Sequence, residues 1–263
     1  MKKNKKIMLG KKIIGAKLVE RKLLAEDIFE LIYILDTKCK LELCAGQFAN
    51  VRVEVQGVFL RRPFSVFSYC DDTKRLGLIV KSIGRGTKHL VSQPIASETD
   101  MLLPLGRGFS VPIADEKVLL VGGGSGLAPI LFLAKSIANK QNVNVVIGAQ
   151  NKEQLCVVEE YHQFANFSYS TNDGSYGEKG LLTENSFLKD LGAYDRIYCC
   201  GPLPMMKAIA KLAHAQAVDC EVSLENTMAC GVGVCLCCVE PTNTGNRCVC
   251  TEGAVFNIKE LTW

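Results

Sequence analysis

Val118-Leu119-Leu120-Val121-Gly122-Gly123-Gly124-Ser125-Gly126-Leu127-Ala128-Pro129 runs from an apolar tetrapeptide through five small residues into a helix-forming stretch. A short apolar run bounded by glycine reads as a strand buried on both faces. Glycines after such a strand let the backbone approach a phosphate closely, and the N-terminus of the next helix favours its charge. Pro129 suits the first helical turn, where its missing N–H costs little. The loop is not the Rossmann fingerprint, because Leu127 stands where G-x-G-x-x-G would have its last glycine. Without a ligand the same residues make a tight strand-to-helix turn.

Working outward, the helix is expected from Leu127 to about Asn139. Val143 to Ile147 reads as the next strand, Glu153 to Phe164 as a helix, and Phe167 to Ser170 and Arg196 to Cys199 as strands. Leu203 to Gln216 reads as a closing helix. Strands alternating with helices imply a parallel sheet, so residues 113–216 are expected to form an α/β domain. Upstream, residues 1–112 are β-rich. Val51, Val53 and Val55 alternate onto one face, Ile28 to Leu35 and Leu76 to Val80 are strand-like, and Gly46, Gly57, Gly77, Pro94, Pro104 and Gly106 punctuate at spacings that suit an antiparallel barrel. Downstream, residues 217–263 show neither rhythm. So few large apolar residues suggest a segment that needs a metal centre to hold its shape.

The chain has 263 residues, 48% hydrophobic and 22% charged, as in ordinary globular proteins. The net charge is +4, but six lysines at 2, 3, 5, 6, 11 and 12 come with no acid nearby. Without them 25 basic residues face 27 acidic ones, so no basic surface points to nucleic acid. Ile7 to Leu9 is too short for the apolar core of a signal peptide. The longest uncharged run, Val118 to Ala134, holds four glycines and a proline and reads as strand, loop and helix rather than a membrane span. A cytoplasmic location is expected. Of 13 cysteines, seven fall between Cys220 and Cys250, and without a secretion signal such density points to metal rather than disulfides.

Four stretches carry candidate chemistry. The glycine loop is one. The second is Cys199-Cys200-Gly201-Pro202-Leu203-Pro204-Met205-Met206, at the carboxyl end of a later strand, the edge where open parallel sheets bind ligands. The third is Arg61-Arg62-Pro63-Phe64-Ser65, whose guanidinium, ring and hydroxyl suit a diphosphate and a flat heterocycle, with Gly84-Arg85-Gly86-Thr87 as a second phosphate cradle. An edge strand with exposed arginines is the plain alternative. The fourth is Cys230-x4-Cys235-x2-Cys238, with Cys250 eleven residues on, the spacing of the plant-type 2Fe-2S loop. A four-cysteine zinc site is its rival, although such sites usually carry two C-x2-C knuckles. Cys237 breaks the spacing, Cys220 lies too far upstream, and spacing alone does not separate Cys248 from Cys250.

The order of barrel, nucleotide sheet and ferredoxin-like loop resembles the ferredoxin–NAD(P) reductase superfamily. The blocks Arg-Arg-Pro-Phe-Ser, Gly-Gly-Gly-Ser-Gly-Leu-Ala-Pro, Thr171-Asn-Asp-Gly-Ser-Tyr-Gly-Glu-Lys-Gly180, Cys-Gly-Pro-Leu-Pro-Met and Met228-Ala-Cys-Gly-Val-Gly-Val-Cys235 are similar, in order, to those of the electron-transfer subunits of NAD-dependent (class 1B) dihydroorotate dehydrogenase. That resemblance implies FAD on Arg62, Pro63, Phe64 and Ser65, lined by Ile79, Val80 and Lys81, with its diphosphate at Gly86 and Thr87. It implies NAD at Gly122, Gly123, Gly124, Ser125 and Gly126 and at Cys200, Gly201 and Pro202. It implies a 2Fe-2S cluster on Cys230, Cys235, Cys238 and Cys250, the last because Gly253-Ala254-Val255-Phe256 resembles the family's segment after its final cysteine. Phe64 stands where an aliphatic residue or tyrosine is common, and Ala254 where proline is usual. The partner implied is an FMN-containing catalytic subunit, in a heterotetramer of two of each. Another superfamily reductase, serving ferredoxin, sulfide or an oxygenase, would use the same cofactors. No catalytic acid or base is implied. His89, His162 and His214 read as structural, and Asp173 as a residue that would repel a 2′-phosphate.

Overall fold

The computed structural model describes residues 10–113, 115–137 and 140–263, so the lysines at 2, 3, 5 and 6 lie outside the described residues. The first unit is a closed antiparallel barrel of β1 (Lys12–Ala25), β2 (Ile28–Asp36), β3 (Phe48–Val51), β4 (Arg62–Cys70), β5 (Arg75–Lys81) and β6 (Glu98–Leu105), with α1 (Arg85–Ser92) between the last two. The strand order is β1-β2-β5-β4-β3-β6, and β6 returns to pair with β1. Period-two alternation builds its interior. Ile14, Ala16 and Leu18 are buried and their neighbours Gly15 and Lys17 are not. The valine alternation holds in burial: Val51 and Val53 are inside, Arg52 and Glu54 outside.

The second unit is a seven-stranded sheet built on β7 (Val118–Gly123), α2 (Leu127–Ser136), β8 (Val143–Ala149), β9 (Asn166–Thr171), β10 (Glu178–Lys179), β11 (Arg196–Cys200) and α3 (Leu203–Ala215). It also takes β12 (Asp219–Ser223) and, after β13 (Val239–Thr242), β14 (Gly245–Cys248) and the short α4 (Val249–Glu252), β15 (Val255–Asn257). The order is β10-β9-β8-β7-β11-β12-β15, parallel except for β15. Every residue of β7 is buried because both faces are covered. Val118 and Leu120 pack with Ile130, Leu131 and Ala134 of α2, whereas Leu119 and Val121 pack with Ile209, Ala210 and Ala213 of α3.

Three expectations change. The helix expected over 153–164 is two short 3-10 turns, Lys152–Gln154 and Glu159–Tyr161, joined by extended chain. Leu155 to Val158 are four consecutive apolar residues, three of them buried, a pattern that no single helix face accommodates. The helix expected to reach Asn139 ends at Ser136 with Ile137 extended, and 138 and 139 lie outside the described residues. The sheet also runs past residue 216. The segment from 217 supplies β12 and β15 and buries Val249, Phe256, Ile258 and Leu261 in the same core as α3, so it draws on a neighbour's core as well as its own cysteines.

Candidate cofactor sites

A cavity of about 550 Å3 opens between the barrel and the sheet. Arg62, Pro63, Phe64 and Ser65 from β4, Ile79 and Lys81 from β5, and Thr87 from α1 line it, as anticipated. Val80 does not. It alternates into the barrel core, leaving only its backbone to serve. Gly86 is buried against Arg62. A Cβ there would lie 3.3 Å from Arg62 Nε, so the glycine lets the guanidinium rest on the first turn of α1. Arg62 Nη1 donates to Leu60 O at 2.8 Å, which fixes that orientation. The amides of a helix's first turn have no intrahelical acceptor, so cation and helix end together suit a phosphate. Thr87 acts on the loop itself: its Oγ1 accepts from the amides of Ile83 at 3.1 Å and Gly84 at 3.0 Å. The residues present therefore fit a flavin nucleotide.

Residues beyond the anticipated set also line this cavity, among them Phe48, Leu60 and the run from Leu224 to Met228. Ser125 Oγ donates to the Glu225 carboxylate at 3.2 Å. That carboxyl faces the cavity, and desolvation by the surrounding protein raises its pKa, with Ser125 opposing the rise. Only adjacency to Cys230 pointed toward this run in the sequence.

A second cavity of about 410 Å3 lies at the carboxyl edge of the sheet, lined by Gly123 and Gly124, Gly148 to Gln150, Asn172, Leu181 to Thr183, Pro202 and Met205. Lys81 lines both cavities, so the two are neighbours across that residue. Of the glycine loop and the Cys200-Gly201-Pro202 turn, Gly123, Gly124 and Pro202 line this cavity; Gly122, Gly126, Cys200 and Gly201 do not, and Ser125 lines the first cavity instead. A Cβ on Gly126 would collide with the backbone carbonyl of Cys200, so that glycine serves the contact between the two motifs. Cys200 itself is fully buried, its Sγ 3.4 Å from Ser223 O, and burial pushes its thiol well up, as it does for Cys199. Both thiols are core residues. The residues present fit an extended dinucleotide at a strand edge. Asp173 sits in the turn after β9, where Ser175 Oγ–H and N–H hold its carboxyl below the usual range.

The cysteine loop packs on the barrel wall, with Gly231 against Asn50, Leu102 and Leu105. Cys230 Sγ accepts from the amides of Val232 and Val234, each at 3.4 Å, and of Cys235 at 3.5 Å. The Val232 amide is the largest influence holding that thiol at about 6. Cys250 N donates to Cys238 Sγ at 3.4 Å, and the two side chains also meet. Among the described residues no three His, Cys, Asp or Glu side chains converge on one ion-sized position. The thiols form two pairs instead, Cys230 with Cys235 and Cys238 with Cys250. Four thiolates shared between two irons require pairs, and a sulfur accepting several amides is a stabilised thiolate, so the donor set fits a 2Fe-2S cluster. Cys237 is exposed. Cys248 stands close by: desolvation, then the charges of Cys238, Glu252, Cys230 and Cys235, raise its thiol. Neither His162, whose Nε2 is 2.8 Å from Tyr169 OH, nor His214 lines either cavity. His89, on α1, contacts Gln93 just after the helix.

Profiles of known families match the chain in three blocks: an oxidoreductase FAD-binding domain over 15–109, an oxidoreductase NAD-binding domain over 120–211, and the iron–sulfur cluster binding domain of dihydroorotate dehydrogenase B over 225–262. The chain is 36% identical to the dihydroorotate dehydrogenase B (NAD(+)) electron transfer subunit of Shouchella clausii, covering 93% of this chain and 96% of that one. It is 35% identical to the Desulforamulus reducens subunit of the same name, over 96% and 99%. Among solved structures it resembles an NADH-dependent reduced ferredoxin-NADP oxidoreductase, with a TM-score of 0.82 and 28% identity over 94% of this chain and 90% of that one. With FAD-, NAD- and iron–sulfur-binding blocks in this order and relatives aligned end to end, the chain belongs to the family of dihydroorotate dehydrogenase B (NAD(+)) electron transfer subunits.

Proposed function

We propose that this chain is the electron-transfer subunit of an NAD-dependent dihydroorotate dehydrogenase, bound to an FMN-containing catalytic subunit in a heterotetramer of two of each and acting in the cytoplasm in pyrimidine (UMP) biosynthesis. The bound groups supply the redox chemistry, carrying electrons from the partner's FMN by way of a 2Fe-2S cluster and FAD to NAD. The chain's residues position these groups and exclude water. Residues 1–112 form the FAD unit, with Arg62 and the α1 end taking the diphosphate and Pro63, Phe64, Ser65, Ile79 and Lys81 the ring system. Residues 113–216, extended by β12 and β15, form the NAD unit, with Gly122 to Gly126 and Gly201-Pro202 at the dinucleotide. Residues 217–263 carry Cys230, Cys235, Cys238 and Cys250 as cluster ligands.

The placing of the two cavities on either side of Lys81 carries this reading, because hydride transfer needs the two rings brought together. Ser125 and Glu225 flank the same region and hold its polar wall. No side chain is required as a general acid or base. On the cysteine loop Val234 is 78% and Leu236 64% exposed. Large apolar side chains beside a redox centre suit a face covered by the catalytic subunit. Among the described residues no helix is long and apolar enough to cross a membrane.

The test is a visible spectrum of anaerobically purified protein, with and without the co-expressed catalytic subunit, before and after dihydroorotate. Flavin and 2Fe-2S bands that bleach with dihydroorotate only when the partner is present are the expected result. Bleaching by NADH but never by dihydroorotate would assign the chain to another reductase of the superfamily. A colourless, zinc-containing protein would overturn the cofactor assignment.

A further inference from the structure

One side chain outside the cofactor motifs reaches the cysteine loop from the barrel. Lys11 immediately precedes β1, and its Nζ donates to Gly231 O at 3.1 Å and to Cys250 O at 3.3 Å. Gly231 belongs to the turn that carries Cys230 and Cys235. Cys250 belongs to the other thiol pair. A single ammonium thus ties together the backbones of the two halves of the donor set. The loop it grips is seated on the barrel wall. Gly231 has φ +73°, and a Cβ there would lie 3.2 Å from Asn50 Nδ2, 3.2 Å from Leu105 Cδ1 and 3.3 Å from Leu102 Cδ2. Asn50 is fully buried. Leu102 and Leu105 belong to β6, which pairs with β1 from Lys12 onward, so Lys11 leads into the strand beside the seat of the loop. Among the described residues no carboxylate forms an ion pair with Lys11, so its charge is directed at the carbonyls of the loop.

We propose that Lys11 is a positioning residue for the cluster: it clamps the two thiolate pairs at a fixed separation and places a positive charge beside them that favours the reduced state. The proposal rests on the reading that Cys230, Cys235, Cys238 and Cys250 hold a 2Fe-2S cluster. Reduction adds negative charge to the site, and a fixed cation stabilises added negative charge. Cluster potentials respond to local charge and to hydrogen bonding in this way. Lys11 is exposed, so the effect is moderate and fades with salt.

Four full-length proteins, each co-purified with the catalytic subunit, separate the clamp from the charge: wild type, Lys11→Arg, Lys11→Gln and Lys11→Met. The readouts are the cluster potential, from a redox titration followed by electron paramagnetic resonance, and the rate of iron loss to a chelator. Arginine keeps both roles and should behave as wild type. Glutamine and methionine should shift the oxidised-to-reduced ratio about tenfold toward oxidised at low salt, ~59 mV for one electron. Iron loss should be several-fold faster for methionine and intermediate for glutamine, which retains an N–H donor. Wild-type potential and iron loss in Lys11→Met would overturn the proposal. So would equal loss of the cluster in Lys11→Arg and Lys11→Met, because that is disruption without regard to charge. If the cofactor reading itself is wrong, wild type and all variants will lack iron and sulfide alike, a result distinct from four brown proteins with one potential.

Discussion

Gly126→Ala tests the claim that the glycine loop is shaped by its contact with a neighbouring strand as much as by a ligand. A Cβ at Gly126 would overlap the carbonyl of Cys200 and sit 2.5 Å from Gly201 N, where ordinary contact begins at 3.4 Å. Relief needs a displacement on the order of 1 Å. The obstacle is backbone of β11, paired on both sides by β7 and β12, so it cannot turn aside. Overpacking costs typically about 1–3 kcal/mol, and an immovable neighbour argues for the upper end. At about 2–4 °C per kcal/mol for a protein near this size, the melting temperature should fall by about 6–12 °C. A misplacement of that size between the loop and the Gly201 turn should slow NADH-driven flavin reduction by about 100-fold. Iron content should hold, since the cluster cysteines lie on other elements, and FAD content should fall far less than the rate, since Ser125 is this loop's contribution to the flavin cavity. Gly124→Ala is the control: its φ is +56° with nothing within 4 Å, so only the left-handed backbone costs, about 1–2 kcal/mol. Calorimetry and stopped-flow absorbance read both effects. If Gly126→Ala melts no lower than Gly124→Ala, the packing argument is wrong.

Arg62→Ala should weaken FAD retention about 10- to 100-fold by removing a charge-assisted hydrogen bond of about 1.5–3 kcal/mol, and Lys should rescue it only in part because it lacks the planar fork; flavin fluorescence on titration of the apoprotein measures this. Cys250→Ser should lose most iron and acid-labile sulfide whereas Cys248→Ser keeps them, since Cys250 is the one whose amide and thiol meet Cys238; the opposite outcome would transfer the fourth ligand to Cys248. Asp71 accepts from Lys74 Nζ and Tyr69 OH at 2.8 Å and from Leu41 N at 3.0 Å, and Lys74 leads in lowering its pKa to about 2. A carboxyl with a depressed folded-state pKa stabilises the protein above its ordinary value of 3.8 and loses that contribution as pH falls toward 2, so Asp71→Asn should flatten the acid limb of a stability–pH curve over that window.

Local signals account for what was legible. A buried strand followed by five small residues, or cysteines spaced four and two apart, states its geometry within a dozen residues, because loop shape and ligand reach are set by backbone freedom over that distance. These signals placed β7, the glycine loop, the start of α2 and the cysteine loop. The 155–158 run misled because apolar content without a period does not distinguish a helix from extended chain packed at a sheet edge. β12 and β15 were missed because their burial comes from α3 and β11, which lie elsewhere in the chain.

By itself, then, the sequence determined the barrel, the alternating α/β unit, the cysteine loop from Cys230 to Cys238 and the order of the three, since each follows from composition and period over short windows; Cys250 was pointed to only by the resemblance to a known family. Only the tertiary structure decided that Lys81 lines two neighbouring cavities, that Ser125 pairs with Glu225 across 100 positions, that Gly126 answers to Cys200, and that Lys11 reaches Gly231 and Cys250. These are contacts between segments far apart in the chain. Their partners are chosen when the sheet and barrel pack together, and nothing in the spacing of residues along the chain encodes that choice.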